Sequence, residues 1–391
     1  MRWRDVRQQS RKAVSAQNEP RLFAVPDEEN LEKETTGGVE AITEPFDPTL
    51  IRVEPRPSTV DLLLSRIRQN EINLSPAFQR RDGIWNEGAQ SRLIESLLIR
   101  IPLPAFYMDA TDEDKWQVVD GLQRLSSLRR FVITKDLRLS GLEFLSKLNT
   151  KTFDGLPRSF QRRILETPLT LFLIERGTPP QVKFNIFKRI NTGGLPLSAQ
   201  EIRHALNLGT VTPFLERLAN SAEFLRATGR AISPKRMGDR ECVLRFLAFV
   251  TTSPDDYKAQ DFDNFLNETM ARMNGMSEEK LKEFEGRFKR AMTTAHSCFG
   301  DYAFRKRYDR ADPYKYPINK ALFEAWSVNL SRLSSQEANR LTTKRELVED
   351  RFCELMNKRD FETAVSQGTG DVSKVRLRFR SIREIVEKVL N

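Results

Sequence analysis

The stretch KWQVVDGLQRLSSL, residues 115–128, decides the fold prediction, because its pattern changes from strand to helix within a few residues. The valine pair before Asp120 ends a short apolar run that is typical of a buried strand. Gly121 permits a tight turn, and Asp120 is the predicted N-cap of the helix that follows. Helix starts attract anions, and Arg124 can add charge-assisted contacts. The stretch is therefore compatible with a structural cap, an anion site or a site for a cation that bridges phosphates.

Short apolar runs alternate with helical patterns on both sides of this stretch. Strands are predicted at LPAFYMD, KWQVVD and LTLFLIE, and helices at AQSRLIESLLI, QRLSSLRRFVI and PPQVKFNIFKRI. Ser198 and Glu201 have the spacing of a capping box and predict a further helix start. After residue 211 the apolar spacing is helical throughout. We therefore predict an α+β fold, with a mixed domain over residues 49–210 and an all-α helical domain over residues 211–391.

Composition bounds the class of protein. Lys and Arg number 64 against 54 Asp and Glu, and the formal net charge of +10 favours polyanionic partners such as nucleic acid and nucleotides. Residues 1–48 are polar, with too few large apolar side chains to bury, and are expected to form a mobile arm. Three widely separated cysteines and the lack of a long apolar run indicate a cytoplasmic protein that does not enter a membrane.

Four motifs, in chain order, carry a family resemblance: FQRR followed by Trp85, then QSRLIESLLIRIPLPAFY, VVDGLQRLSSL and FKRINTGGLPLSAQEIR. They resemble the domain-of-unknown-function 262 family, the N-terminal domain type of the GmrSD modification-dependent restriction enzymes. That family belongs to the ParB/sulfiredoxin-like superfamily. The resemblance spans roughly residues 57–207, and the rear segments are similar to the helical portion of stand-alone members. It implies a ParB/sulfiredoxin-like N-terminal domain followed by an all-α helical domain, acting in anti-phage defence.

The resemblance also implies a site that binds NTP, with Mg²⁺ as a companion ion, and hydrolyses it. The family motif Asp-Gly-Gln-Gln-Arg falls on Asp120, Gly121, Gln123 and Arg124, with Leu122 in place of the first Gln. Asp120 is the implied catalytic and metal-binding residue, and the other implied nucleotide contacts are Gln79, Arg80, Gly121, Gln123, Arg124, Arg189 and Asn191. If the missing Gln normally contacts nucleotide, hydrolysis is weakened here. If that position packs inward, Leu122 is a benign substitution.

Basic clusters in the rear half are predicted to contact DNA, through Arg236, Arg240 and Arg378 and the aromatic run FGDYAFRKRYDRADPYKY. The alternative is that these are solvated helix faces whose aromatic side chains point to the core. His204 and His296 are far apart, and the sequence contains neither a compact His-Asn-His nuclease motif nor a G-x-x-x-x-G-K-[ST] loop.

Three functional readings remain open from the sequence. The first is a nucleotide-dependent, DNA-associated switch with a partner nuclease or defence protein. The second is a ParB-like nuclease that acts alone, and the third is a non-catalytic module that binds DNA or protein.

Overall fold

The computed structural model describes residues 31–32, 52–74, 85–190, 197–258 and 261–391. Five strands form one mixed sheet in the order β1-β5-β3-β4-β2. Their bounds are β1 Val53–Thr59, β2 Ile72–Asn73, β3 Phe106–Asp109, β4 Trp116–Asp120 and β5 Pro168–Ile174. β1 is antiparallel to β5 and β3 to β4, whereas the other two neighbouring pairs are parallel. The three predicted strands are confirmed; β1 and β2 were not predicted.

Helices cover both faces of this sheet. One face packs against α1 Val60–Arg68, α2 Glu87–Leu98, α3 Leu122–Leu128 and α4 Arg158–Leu165, and the other against α5 Pro180–Ile190 and α6 Ala199–Leu206. Adjacent strand residues point to opposite faces, so Val118 joins the first apolar cluster and Val119 the second. The predicted helices at α2 and α5 are confirmed, and the predicted helix at α3 is α-helical only to Leu128 and continues as a π-helix over Arg129–Thr134. The predicted capping box at the start of α6 is also confirmed: the Ser198 hydroxyl accepts from the Glu201 N–H, and the Glu201 carboxylate accepts from the Ser198 N–H.

The rear of the chain is helical, and its described residues contain no strand. Its helices are α7 Val211–Ala219, α8 Ala222–Ala227, α9 Gly238–Thr251, α10 Phe262–Asn274, α11 Glu278–Phe299, α12 Lys320–Leu330, α13 Ser335–Thr343, α14 Arg345–Met356, α15 Arg359–Ser366 and α16 Val372–Leu390. They share one apolar core, separate from the cores of the sheet. The fold is thus α+β, with a small mixed sheet and many helices. No helix in the described ranges is long and apolar enough to cross a bilayer.

Two residues of the segment predicted to be a mobile arm are ordered against the rear helices. Leu31 is buried in their apolar core and pairs with Ile318. The Glu32 carboxylate accepts hydrogen bonds from the Lys306 ammonium at 2.6 Å and from the Asn319 amide at 3.0 Å. The prediction was wrong at these two positions, because one leucine and one charged neighbour are enough to dock a short extended piece. The rest of residues 1–48 lies outside the described ranges.

An ionic contact joins the sheet domain to the rear helices. Asp263, at the start of α10, accepts from Lys188 at 3.0 Å and from Arg203 at 2.7 Å. Arg203 is almost fully buried, and its Nε also donates to Gln200. Because one carboxylate receives cations from both α5 and α6, it fixes those two helices against α10.

Candidate functional site at the β4–α3 junction

The turn between β4 and α3 has a backbone shape that favours glycine. Gly121 has a φ of +100°, and a Cβ atom added there would lie 2.4 Å from Cδ1 of Phe106. The helix begins at Leu122 with Gly121 as its N-cap, which has no side chain to accept a capping hydrogen bond. The prediction that Asp120 caps the helix was therefore wrong. Asp120 is the last residue of β4, where it pairs with Tyr107 next to a β-bulge.

The Asp120 carboxylate is held by Arg124, one helical turn away. Their side chains approach to 2.7 Å between Oδ2 and Nη2. The Arg124 guanidinium also donates to the carbonyls of Pro104 and Ala105, and it lies 4.3 Å from the centre of the Phe106 ring. Arg124 is 7% exposed. Its donors are therefore committed largely to the protein, where they fix the loop before β3 and orient the carboxylate.

Burial couples the two charges. It raises the pKa of the Asp120 carboxyl, an effect that Arg124 and the Gly121 N–H oppose. It lowers the pKa of the Arg124 guanidinium, which Asp120 opposes in turn. Removing one partner would leave the other as a poorly solvated lone charge, which is costly in a protein interior. The pair is thus both a polar feature of the site and a structural element.

The pair opens onto a pocket of about 370 Å³. The lining residues are Trp85, Ala89, Arg92, Leu93, Ser96, Ile101, Pro102, Leu103, Pro104, Asp120 and Arg124. Trp85 is half-buried and forms part of the pocket wall. Arg92 is exposed and forms no ion pair with any residue that the structure describes. The pocket therefore combines an aromatic surface, an available cation and a buried acid.

Sequence reasoning placed Arg92 on an amphipathic helix without assigning it to the site. A usable signal was present, because Ala89, Arg92 and Ser96 recur at spacings of three and four residues and so share one face of α2. What the spacing could not tell was that this face turns toward the β4–α3 junction. That depends on how α2 is rotated when its apolar side packs on the sheet.

The other predicted contacts have mixed outcomes. Gln123 is half-buried, but it does not line the pocket as the described residues form it, and its carbonyl accepts from the Ser127 hydroxyl at 2.7 Å. Leu122 packs against the apolar cluster of the first sheet face. This position therefore points inward, and the substitution does not alter the pocket wall. Gln79, Arg80 and Asn191 lie outside the described ranges. Arg189 is exposed at the end of α5, away from the lining set.

The described side chains provide no ready-made metal centre. Among them, no group of three or more His, Cys, Asp or Glu residues is placed to hold a metal ion. Asp120 contributes a single carboxylate, one oxygen of which is already bound by Arg124. The three cysteines are free and buried, at Cys242, Cys298 and Cys353. This set of donors does not suit a permanently bound metal. The role of Asp120 in metal binding therefore stays a prediction, and it requires a bound ligand that supplies further donor atoms.

The rear basic clusters are mostly used internally. Arg378 is fully buried, pairs with Glu324 and donates to the Thr369 carbonyl at 2.7 Å. Its predicted contact with DNA is wrong, because the guanidinium has no exposed surface. Arg240 is held by Glu216 at 2.7 Å with little exposure, and Arg236 lies 3.8 Å from Glu201. In the aromatic run, Arg305, Lys306 and Arg307 are all buried.

Comparison with known families finds a match within the sheet domain. Residues 61–208 match the family described as "GmrSD restriction endonuclease, N-terminal domain". This segment is consistent with a GmrSD N-terminal-type domain. This domain contains every residue that lines the pocket, from Trp85 to Arg124. A search of curated proteins found no match to the chain. The family match supports a DNA-associated role of the restriction or defence type, whereas the relation to ParB/sulfiredoxin-like proteins stays a prediction.

Proposed function

We propose that this protein is a DNA-associated component of restriction or anti-phage defence that binds a nucleoside triphosphate beside Asp120. The observation that carries the proposal is the pocket of about 370 Å³, in which Trp85 and Arg92 face the Asp120–Arg124 pair. This volume is in the range of small-ligand sites, which combine apolar walls with a few convergent polar groups. The proposal includes three further parts: the protein hydrolyses the nucleotide, the nucleotide changes how the protein binds DNA, and the protein acts with a partner nuclease.

Each part of the pocket suits one part of a nucleotide. The Trp85 ring offers a flat face on which a base can stack. The Arg92 guanidinium suits phosphate oxygens, because it is exposed and forms no ion pair with a described residue. Arg124 acts mainly by holding Asp120 and the loop at Pro104 in place. This differs from the direct phosphate contact that the family resemblance implies for Arg124.

A magnesium ion fits this proposal only as a companion of the nucleotide. Mg²⁺ commonly uses one or two protein carboxylates and takes its other ligands from phosphate oxygens and water. Asp120 can supply one carboxylate oxygen while Arg124 keeps the other. The ion would then offset phosphate charge, and the protein would contribute the position of the carboxylate. This is consistent with a donor set that is too small to hold the metal alone.

The test is calorimetric titration of ATP, GTP, CTP and UTP with Mg²⁺ into the wild type and Arg92→Ala. We expect one or more nucleotides to bind the wild type and Arg92→Ala to weaken that binding about 10- to 100-fold, the loss of a charge-assisted contact. Arg129→Ala is the matched control, because Arg129 is exposed and does not line the pocket. No binding of any nucleotide would contradict the proposal. Equal affinity of the wild type and Arg92→Ala would show that the nucleotide does not bind in this pocket.

Arginine 92 is a better first target than the motif residues. Alanine at Asp120 or Arg124 would strand a buried charge and could lower stability without reporting on the ligand. If a nucleotide binds, release of inorganic phosphate measured over time then separates a hydrolase from a binding module. Binding without phosphate release would support a non-catalytic switch.

A further inference from the structure

Residues 129–163, here called the basic segment, carry a large part of the net positive charge of the chain. Nine Lys or Arg residues stand against three acids, a net charge of +6. Six of these cations are exposed and form no ion pair with a described residue: Arg129, Arg138, Lys147, Lys151, Arg158 and Arg162. A concentration of cations that the protein itself does not neutralise favours a polyanionic partner.

The rear half does not offer an equivalent surface in its aromatic run. Arg305 donates to the Tyr316 carbonyl at 2.6 Å, and Arg307 donates to the Arg310 carbonyl at 2.6 Å. Lys306 is paired with Glu32 at 2.6 Å. Contact with phosphate at these positions would require breaking internal bonds, whereas the exposed cations of the basic segment need no such rearrangement.

A loop within the basic segment holds an aromatic ring in solvent. Phe144 is 71% exposed, yet its backbone is tied to Glu95, which is 3% exposed. The Glu95 carboxylate accepts from the N–H groups of residues 143, 144 and 145 at 3.0, 2.8 and 2.7 Å. Burial acts to raise the pKa of Glu95, but the three N–H groups and Arg92 together hold it below the usual value. The carboxylate therefore stays charged and the loop keeps its shape.

The same loop carries Phe144 and two of the exposed cations, Lys147 and Lys151. Its base is closed by hydrogen bonds of Leu139 with Lys151 at 3.0 Å and with Thr150 at 2.7 Å. Lys147 lies on the short 3₁₀ helix that follows the tip. Among the described exposed large apolar residues, Phe144 is the only one within the basic segment. A loop that carries one exposed ring together with cations suits nucleic acid, where bases lie between phosphate backbones; a membrane surface generally requires a wider apolar face.

We propose that the basic segment is a duplex-DNA-binding surface, with its exposed cations on phosphates and Phe144 wedged against the bases. The proposal specifies the DNA association of the proposed function, and it does not require nucleotide binding. It moves DNA contact from the rear helices to the GmrSD N-terminal-type domain. The Glu95 anchor provides the rigidity that a wedge needs, because a ring on a loose loop would fold back onto the protein or lose entropy on binding.

Fluorescence anisotropy with labelled duplex DNA over a series of salt concentrations tests this surface. Phe144→Ala should weaken binding by roughly 5- to 150-fold, the range for losing aromatic contact with a base, with no change in salt dependence. Lys147→Ala combined with Lys151→Ala should lower the slope of log affinity against log salt by about two, one for each phosphate contact. Phe144, Lys147 and Lys151 are all exposed, so folding should be unaffected.

The matched control is Lys358→Ala combined with Arg359→Ala, which removes the same charge from an exposed position on the rear helices. It should bind DNA like the wild type. Wild-type affinity in the Phe144 and Lys147/Lys151 variants, or the same loss in the control, would overturn the proposal. Binding to anionic phosphatidylserine vesicles in place of DNA would also overturn it. The wild type should bind duplex DNA in the absence of any nucleotide, so failure of the nucleotide site and failure of this surface give different results.

Glu143 allows a test in the opposite direction. Its side chain is exposed beside Phe144 in the loop, and only its backbone N–H is used to anchor the loop. Glu143→Lys keeps that N–H and replaces a charge that phosphate repels with one that phosphate attracts. DNA affinity should increase in this variant, and the salt slope should become steeper. Weaker binding of Glu143→Lys would contradict the assignment of this loop to the DNA interface.

Discussion

Gly121 and Arg124 show how single residues set the geometry of the candidate site. Gly121 brings the turn against Phe106, and Arg124 covers the same ring while it holds Asp120. The sequence predicted the turn at this motif. It did not predict that Arg124 would neutralise Asp120, because that pairing depends on the nearby carbonyls of Pro104 and Ala105, which are distant in sequence.

Gly121→Ala should destabilise the protein. The alanine Cβ would meet the Phe106 ring at 2.4 Å, and a φ of +100° is unfavourable for an L residue. We expect a loss of about 1–3 kcal/mol in the free energy of unfolding, measured by urea denaturation. Gly155→Ala is the control, since its nearest neighbouring atom lies at 3.5 Å and its backbone needs no positive φ. Equal stability of the two variants would show that the turn is not constrained as described.

Glu95→Gln tests the anchor of the Phe144 loop. Glutamine has one acceptor oxygen, and its NH₂ group would face a backbone N–H, so we expect a loss of about 1.5–3 kcal/mol at neutral pH. The lowered pKa of Glu95 means that its stabilisation is present above the ordinary glutamate value of 4.5 and disappears as the pH falls through the lower folded value. Denaturation at several pH values should therefore show the two proteins converging in acid. A constant difference at all pH values would contradict the charged anchor.

At the scale of elements, α2 is shared by two features. One face carries Arg92 and Ser96 into the pocket, and Glu95 reaches from the same helix to the Phe144 loop. The helix was predicted from its apolar spacing, as were three of the strands. β1 was not predicted because its sequence, VEPRPST, contains two prolines, which argue against a strand. An edge strand tolerates proline because its outer side forms no ladder hydrogen bonds. β2 has only two residues and gives no periodic signal.

Helix α6 contains a group that makes the protein sensitive to acid. Burial, with a further effect of Arg240, lowers the pKa of His204 to about 4, although Glu216 opposes the shift. Because the unfolded chain binds a proton near the ordinary value of 6.5, stability should be complete above that pH and fall between 6.5 and 4. The equilibrium constant for unfolding should rise by up to about tenfold for each unit by which the pH falls in this range.

The measurement is chemical denaturation across this pH range. His204→Gln should show a smaller decline than the wild type, since glutamine takes up no proton. An unchanged decline in His204→Gln would assign the acid sensitivity to other groups.

At the scale of the whole molecule, separate apolar cores are connected by ionic contacts. The sheet domain and the rear helices each bury their own core, and Asp263 bridges them through Lys188 and Arg203. Sequence indicated the α+β fold and the helical rear from periodicity. It could not indicate that the rear arginines would be consumed by internal partners such as Glu324, because those partners are far away in the chain.

Asp263→Asn should weaken the junction between α10 and the pair α5 and α6. Burial acts to raise the pKa of Asp263, but Arg203 and Lys188 hold it below its usual value, so the carboxylate is charged at neutral pH. Neutralising it leaves Arg203 buried without its carboxylate, which costs about 3–5 kcal/mol in comparable sites. Asp255→Asn is a control at a solvent-exposed pair with Arg383, where the expected loss is below about 1 kcal/mol. Similar losses in urea denaturation would contradict this role for Asp263.

Tryptophan fluorescence tests most directly whether a nucleotide binds against Trp85, as we propose. The chain has four tryptophans, and Trp85 is the only one among the residues that line the described pocket. The measurement is titration of wild type and Trp85→Phe with the nucleotide that binds in calorimetry. We predict quenching in the wild type and none in Trp85→Phe, which keeps an aromatic ring and should still bind. Equal quenching in both proteins would show that the nucleotide does not bind against Trp85.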